Sequence, residues 1–387
     1  MAFFPRPDQS YGRAAKRAGR RPPRSRARRV ASTVGALSLV LGVAACDPSG
    51  GLTAPSRPGT RIGLLLPDNQ TPRFQRFDKP LIERKIKELC SVCTVKYASS
   101  RHDAATQQEQ VDTMLTQGID VLVLDAVDGK SLRPSVVAAA RAGVPVVAYD
   151  RLVEGPISGY VTFDGGQVGR LQGEGLLKAL GDKARDGQIV MVNGEESDPN
   201  SAWFKKGALS VLRGKVRIAK SYDTLGWRPE NAFANMSAAI ASLGPGRIAG
   251  VLAANDRLAG GVVSALKAAE VTPVPPITGQ DADLEGVRRI VQGEQYMTVY
   301  KPFRLEAEAA AVMAVRLARG ESAGDTRTRT TVDGSPAGVP TVLLAPRSVT
   351  VHNIKETVIH DGLYTVDQIC SGKYAAACQE RGLTGGH

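Results

Sequence analysis

From Arg61 onward the chain repeats one unit, a short apolar run followed by an amphipathic stretch, and this alternation narrows the possible folds more than any other feature. The apolar runs are Ile62–Leu66, Thr94–Ala98, Val121–Asp125, Val144–Tyr149, Gly159–Phe163, Ile189–Asn193, Val216–Tyr222, Ile248–Ala253, Ile277–Gly279, Tyr296–Val299 and Thr341–Leu344. Most are short and β-branched, the composition of strands buried on both faces. Helical patterns lie between them at Leu81–Leu89, Ala104–Thr116, Pro134–Ala142, Val168–Leu180, Ala202–Leu212, Pro229–Leu243, Ala259–Ala269, Leu284–Val291 and Arg304–Arg319. Strand-helix alternation predicts an α/β protein with parallel sheets and right-handed crossovers. So many units exceed one ordinary sheet. The expected architecture is two doubly wound parallel-sheet lobes joined by hinge strands, with a ligand cleft between them. Asp164–Gly166 marks a first crossing. The expected N-lobe is 61–163 plus about 300–340, and the C-lobe 164–299 plus about 341–364. A polar Gly/Thr-rich loop at Ser322–Gly338 and a helical tail at 365–387 complete the division.

The segment before this body reads differently. Of a formal net charge of +12, residues 1–46 carry +9 (ten Lys or Arg against Asp8), which leaves +3 for 47–387. A nearly neutral body argues against a nucleic-acid partner. The basic stretch ends at Arg28-Arg29 and is followed by an uncharged run, Val30–Ala45. That run is shorter than the roughly 20 residues of a membrane span and suits a signal-peptide core. It closes on Val43-Ala44-Ala45-Cys46, which resembles a lipobox with lipid attached to Cys46. Residues 47–60, rich in Pro, Gly, Ser and Thr, read as a flexible tether. The expected location is the outer face of the cytoplasmic membrane. Four cysteines remain in the body: Cys90, Cys93, Cys370 and Cys378. In an oxidising compartment two disulfides are expected, with the local pairs Cys90–Cys93 and Cys370–Cys378 favoured and the other pairings open. A thioredoxin-like pair should open a helix after a strand, whereas Cys90 and Cys93 follow a helical pattern, and Cys370 and Cys378 are too widely spaced to complete a zinc site.

In an open α/β sheet, ligands bind beyond the carboxyl ends of the strands. Here those ends carry Asp150-Arg151, then Glu195, Asp198 and Asn200, then Asn255-Asp256, Gln280-Asp281 and Lys301. A single polar end could simply cap the following helix, as Asp256 could before Arg257-Leu258. Five such ends predict one shared polar site. No phosphate loop or dinucleotide fingerprint accompanies them; Gly165-Gly166 with Gly169 is in the wrong order. Planar carboxylate, amide and guanidinium groups suit the neighbouring hydroxyls of a polyol. A sugar's C–H faces favour aromatic rings, and Trp227 and Phe74 are the candidates. The four histidines, His102, His352, His360 and His387, lie away from the expected strand ends, and no catalytic constellation is recognisable. No enzymatic activity, metal or cofactor is expected.

At these residues the chain resembles the type I periplasmic sugar-binding proteins of bacterial ABC importers, in their xylose-binding branch. The matching stretches are Tyr149-Asp150-Arg151, Phe163-Asp164, Gly226-Trp227 with Pro229-Glu230-Asn231-Ala232, Asn255-Asp256, Gly279–Asp283, Met297–Pro302 and Asn353-Ile354-Lys355. The resemblance implies hydroxyl contacts from Arg73, Asp150, Arg151, Asn200, Asn255, Asp281 and Lys301, and stacking by Trp227. Phe74 stands where that branch has a tryptophan, and Asp198-Pro199-Asn200 replaces its Asp-Asn-Asn. The implied partners are one monosaccharide, D-xylose first, a membrane permease, and the membrane itself through the lipid anchor. The protein is expected to be a monomer. Glucose, galactose or arabinose, with a role in sensing, is the alternative within this class. A sugar-responsive repressor would need an N-terminal helix-turn-helix where this chain has an export signal, and an exported sugar-active enzyme would need the missing catalytic groups.

Overall fold

A computed structural model of the chain describes residues 59–324 and 338–384. The leader 1–46, Cys46, nearly all of the tether, most of the Ser322–Gly338 loop and the last three residues lie outside the described residues.

The first sheet holds six parallel strands: β1 (Arg61–Leu66), β2 (Thr94–Ser99), β3 (Val121–Leu124), β4 (Val146–Tyr149), β5 (Gly159–Phe163) and β10 (Thr341–Leu344). Their spatial order is β10-β5-β4-β3-β1-β2. Because side chains alternate across a strand, each strand feeds two cores. Ile62, Leu64, Leu66, Val121, Val123, Val147 and Tyr149 face α1 (Lys79–Leu89) and α10 (Phe303–Ala318). Leu65, Leu122, Leu124, Val146 and Ala148 face α2 (Ala104–Thr116) and α3 (Arg133–Arg141). This two-sided burial explains why the runs are continuously apolar.

The second sheet is built from β6 (Gln188–Val192), β7 (Arg217–Tyr222) and β8 (Ile248–Ala253), in the order β7-β6-β8. Val190, Val192, Val251 and Ala253 pack under α7 (Pro229–Leu243) and α8 (Asp256–Ala268). Ile189, Met191 and Leu252 pack under α4 (Gly165–Leu180) and α6 (Pro199–Leu212); α5 (Lys183–Asp186) is a single turn after α4. The expected strand Ile277–Gly279 is reduced to one bridge, Val251–Ile277. Pro275-Pro276 precede it and have no N–H to donate. The segment still carries the sheet outward, because Tyr296 N donates to Ile277 O and Val299 N to Gly279 O. Those donors lead into β9 (Met297–Tyr300), which pairs antiparallel with β11 (Arg347–Thr350).

The chain crosses between the lobes at Asp164, at Lys301-Pro302 and at Ala345-Pro346. The expectation set the last crossing near residue 340. Instead Thr341–Leu344 pairs with Tyr160–Phe163 and closes the edge of the first sheet, so these four residues belong to the N-lobe. The tail forms α11 (Val366–Cys370), opened by a capping box at Thr365, and α12 (Ala375–Glu380). It packs against α9 (Leu284–Gln292). The cysteines are paired locally, Cys90 with Cys93 and Cys370 with Cys378.

The glycines of α4 serve helix packing. A Cβ on Gly169 would lie 2.0 Å from Phe204 O, and one on Gly207 2.2 Å from Gly166 O. Only glycine lets α4 and α6 approach so closely. Gly169→Ala is expected to cost about 3 kcal/mol, the upper end for overpacking, because a backbone carbonyl has to move. Chemical denaturation would show this as a lower midpoint with unchanged slope.

Candidate functional site

Loops at the carboxyl ends of both sheets line one cleft, a space of about 400 Å³ counted together with the solvent open to it. All nine residues expected to contact the ligand line it, Arg73, Phe74, Asp150, Arg151, Asn200, Trp227, Asn255, Asp281 and Lys301, whereas Glu195 and Asp256 of the same strand ends do not. Thr71, His102, Asp198, Phe204 and Gln280 complete the lining.

Arg73 lies just after β1, at the start of a π turn, Phe74–Asp78. Its guanidinium is buried and meets three carboxylates: Asp150 at 2.8 Å, Asp78 at 2.9 Å and Glu306 at 2.9 Å. Burial opposes its charge, but the fields of Asp150, Asp78 and Glu306 more than reverse this and hold its pKa well above the ordinary value. Three anions around one cation are too many. Burial first, and the Asp150 charge next, push Glu306 well above the usual carboxylate range. Burial also pushes Asp150 upward, yet Arg73, Lys301 and Arg151 bring it below its ordinary value, so it stays ionised. Its Oδ2 accepts from Arg73 and its Oδ1 from Asn200 Nδ2 at 3.0 Å. Each oxygen keeps a lone pair for a further donor.

Asp198 organises the opposite wall. Its Oδ1 caps α6 by accepting from Asn200 N at 2.9 Å. Its Oδ2 takes Arg151 Nε at 2.9 Å and the indole Nε1 of Trp227 at 3.1 Å. Both cavity-lining groups are thus oriented by one carboxylate. Lys301 Nζ stands 2.8 Å from Asp281 Oδ1. Burial works against this ammonium, and Asp281 and Asp150 raise its pKa in spite of it. Asn255, rather than Asp256, caps α8, its Oδ1 accepting from Leu258 N. This leaves the Asn255 amide N–H groups unspent by the cap. Asp256 instead turns inward and accepts from Gln295, Thr298 and the backbone of Asp283. Buried Gln280 Oε1 has no partner, an acceptor available to a bound hydroxyl.

Trp227 and Phe74 are 6% and 3% exposed. Each is both a wall of the cavity and a member of its own lobe's core. The expectation about histidine is corrected at His102. It follows β2 closely, lines the cavity and pairs with Asp68 at 2.8 Å. Asp150, Trp227 and Asp281 have φ values of 55°, 51° and 88°. A non-glycine residue in the left-handed region costs about 1–3 kcal/mol, a strain that collects at ligand clamps.

The lining sets three carboxylates (Asp150, Asp198, Asp281) against three cations (Arg73, Arg151, Lys301), with amides between them and rings of Phe74, Phe204 and Trp227 at the walls. A wall with balanced charge, many donors and acceptors, and flat apolar faces matches a neutral polyhydroxylated molecule better than an anion. Among the described residues no cluster of three or more His, Cys, Asp or Glu could hold a metal ion, and no helix is long and apolar enough to cross a membrane.

Fold and site together define a bilobed binding protein with its polar cavity between the lobes. The family model described as "Periplasmic binding protein domain" matches residues 62–322, and the chain belongs to that family. It is 36% identical over 315 residues to the D-xylose-binding periplasmic protein of Escherichia coli, covering 80% of this chain and 92% of the relative. It is 35% identical over 287 residues to the multiple sugar-binding periplasmic protein SbpA of Azospirillum brasilense, covering 69% and 80%. Among solved structures, an ABC transporter solute-binding protein from Clostridium phytofermentans with bound β-D-glucose superposes with a TM-score of 0.73 at 30% identity, covering 80% of this chain and all of the other.

Proposed function

We propose that this protein is the exported, lipid-anchored capture subunit of an ABC-type sugar importer, binding one monosaccharide, D-xylose first, by closure of its lobes. The observation that carries the reading is the convergence of Arg73, Asp150, Arg151, Asn200, Trp227, Asn255, Asp281 and Lys301, from segments far apart in sequence, on one cavity of balanced charge. Asp150, Asn200, Asn255 and Asp281 bond the ring hydroxyls, Arg73, Arg151 and Lys301 donate to sugar oxygens, and Trp227 and Phe74 cover the C–H faces. Closure removes the sugar from water and joins the two half-sites. A sugar lacking one hydroxyl leaves a buried group unpaired, at a cost of about 1–3 kcal/mol. The closed form then docks on a membrane permease, while lipid on Cys46 holds the protein at the outer face of the membrane. It works as a monomer without cofactor and turns nothing over.

The relatives named for D-xylose support that sugar. The glucose held by the Clostridium phytofermentans protein supports a hexose as the second reading. Calorimetric titration with D-xylose, D-glucose, D-galactose, L-arabinose and D-ribose separates them. One-to-one binding of xylose well ahead of the rest is the expected result. A hexose preference would move the substrate and keep the mechanism, and no heat from any sugar, with protein shown to be folded, would sink the reading. Mass spectrometry of the mature N-terminus tests the anchor, which predicts a diacylglyceryl cysteine at residue 46.

A further inference from the structure

Three of the polar contacts among the described residues join the lobes across the cleft. Two of them, Arg151 with Asp198 and Asn200 with Asp150, lie within the cavity wall. The third is different. Arg257, on the first turn of α8, donates from Nη1 to Thr71 Oγ1 at 2.9 Å. Thr71 belongs to the loop after β1 in the other lobe and lines the cavity, whereas Arg257 does not. A bound ligand therefore has no need to displace this guanidinium.

Both ends of the contact are prepared for it. Asp68, buried at 1% exposure, accepts from Thr71 N at 2.6 Å and from Thr71 Oγ1 at 2.7 Å. A hydroxyl has one hydrogen, and Asp68 takes it, so the oxygen can only accept from a further partner. The Asp68 carboxylate is held in turn by Gln70 N at 2.6 Å and by His102 at 2.8 Å. At the other end, the Arg257 charge lies close enough to buried Asp283 to oppose the upward push that burial gives that carboxyl. The side chain thus reaches from the first turn of α8 to an oriented acceptor on the other lobe. Partial exposure of Arg257 places the contact at the rim.

We propose that Arg257 is a latch: it closes on Thr71 across the mouth of the cleft and slows release of the bound sugar without touching it. The inference rests on the sugar-binding reading, and it makes Arg257 and its guide Asp68 positioning residues for closure. A partly exposed bond to a charged donor supports a change of about tenfold. In Arg257→Met, stopped-flow measurements on the full chain should show sugar release about tenfold faster, with association almost unchanged, since most affinity differences within one site lie in the off-rate. Thr71→Val, which keeps the shape and removes the acceptor, should do the same. The double variant should be no worse than the poorer single one, because both remove one interaction. Release rates within about twofold of the parent in both variants, or fully additive effects, would overturn the latch. A second measurement needs no sugar: distances between spin labels on α2 and α7. The Arg257→Met distribution should broaden toward longer separations, and an unchanged distribution overturns the proposal. If the parent protein binds no sugar, the functional reading fails by itself, and these distances still decide whether the latch exists.

Discussion

Asp150→Asn is expected to weaken monosaccharide binding by about 100-fold or more, while the melting temperature moves by no more than about 4 °C. Bonds from hydroxyls to an ionised acceptor contribute about 1.5–3 kcal/mol each, and Asp150 presents two oxygens. Removing one partner of a buried ion pair is ordinarily costly, on the order of 3–5 kcal/mol. Here Glu306 limits the damage. Its pKa is pushed up first by burial and then by the Asp150 charge. Without that charge one of the pushes on Glu306 is gone, and its carboxyl stands 2.9 Å from Arg73 to balance it. Asparagine also tolerates the φ of 55° at this position. Titration calorimetry paired with thermal unfolding checks both halves. Near-parental affinity would remove Asp150 from the site, and a collapse in stability would remove Glu306 from its reserve role.

Gly194→Ala should disable the site from behind. The added Cβ would lie 2.0 Å from Cζ2 and 2.1 Å from Cη2 of Trp227. The ring is rigid and is held at its Nε1 by Asp198, so it has to swing away from its seat. The expected cost is at least about 3 kcal/mol of stability, at the upper end for overpacking. Affinity should fall at least about tenfold as the stacking face is lost. Shrinking the ring should relieve the clash. Gly194→Ala with Trp227→Phe is therefore expected to be more stable than Gly194→Ala alone, a departure from additivity that contact residues show. Equal stability of the two would mean that the indole does not occupy this position.

The readability of the site followed from where its residues sit. Asp150, Asn255, Asp281 and Lys301 follow apolar runs within two residues, and the strand-end rule finds them without any knowledge of pairing. Asp78 and Glu306 escaped because they lie in amphipathic stretches, where an acid faces water by default. Their burial depends on Arg73, which Glu306 meets across 233 positions of sequence. Phe204 is inside a helix, where an aromatic residue ordinarily means core. Thr71 and His102 carry no signal beyond the loops they occupy. Among the strands, Arg347–Thr350 was missed because Arg-Ser-Val-Thr has no apolar run, and only antiparallel pairing with Met297–Tyr300 makes it a strand. The glycines at 165, 166 and 169 were legible as a cluster, but their purpose was not. Close approach of two helices is a property of the pair.

The edge pairing of Thr341–Leu344 with Tyr160–Phe163 also sets an order of assembly. When the first five strands leave the ribosome, their sheet still has an open edge, and the face that receives α10 is bare. Residues 165–300, by contrast, form an almost continuous piece of chain around the second sheet. The lobe that begins first therefore waits for residues 341–344, far along the chain, although β11 and the tail of the other lobe follow later still. Closing so long a loop costs little more entropy than closing a short one, since the penalty grows only with the logarithm of length, but contacts so far apart in sequence form slowly. For a chain proposed to cross a membrane, that delay keeps the N-terminal half unfinished until nearly the whole polypeptide has been made.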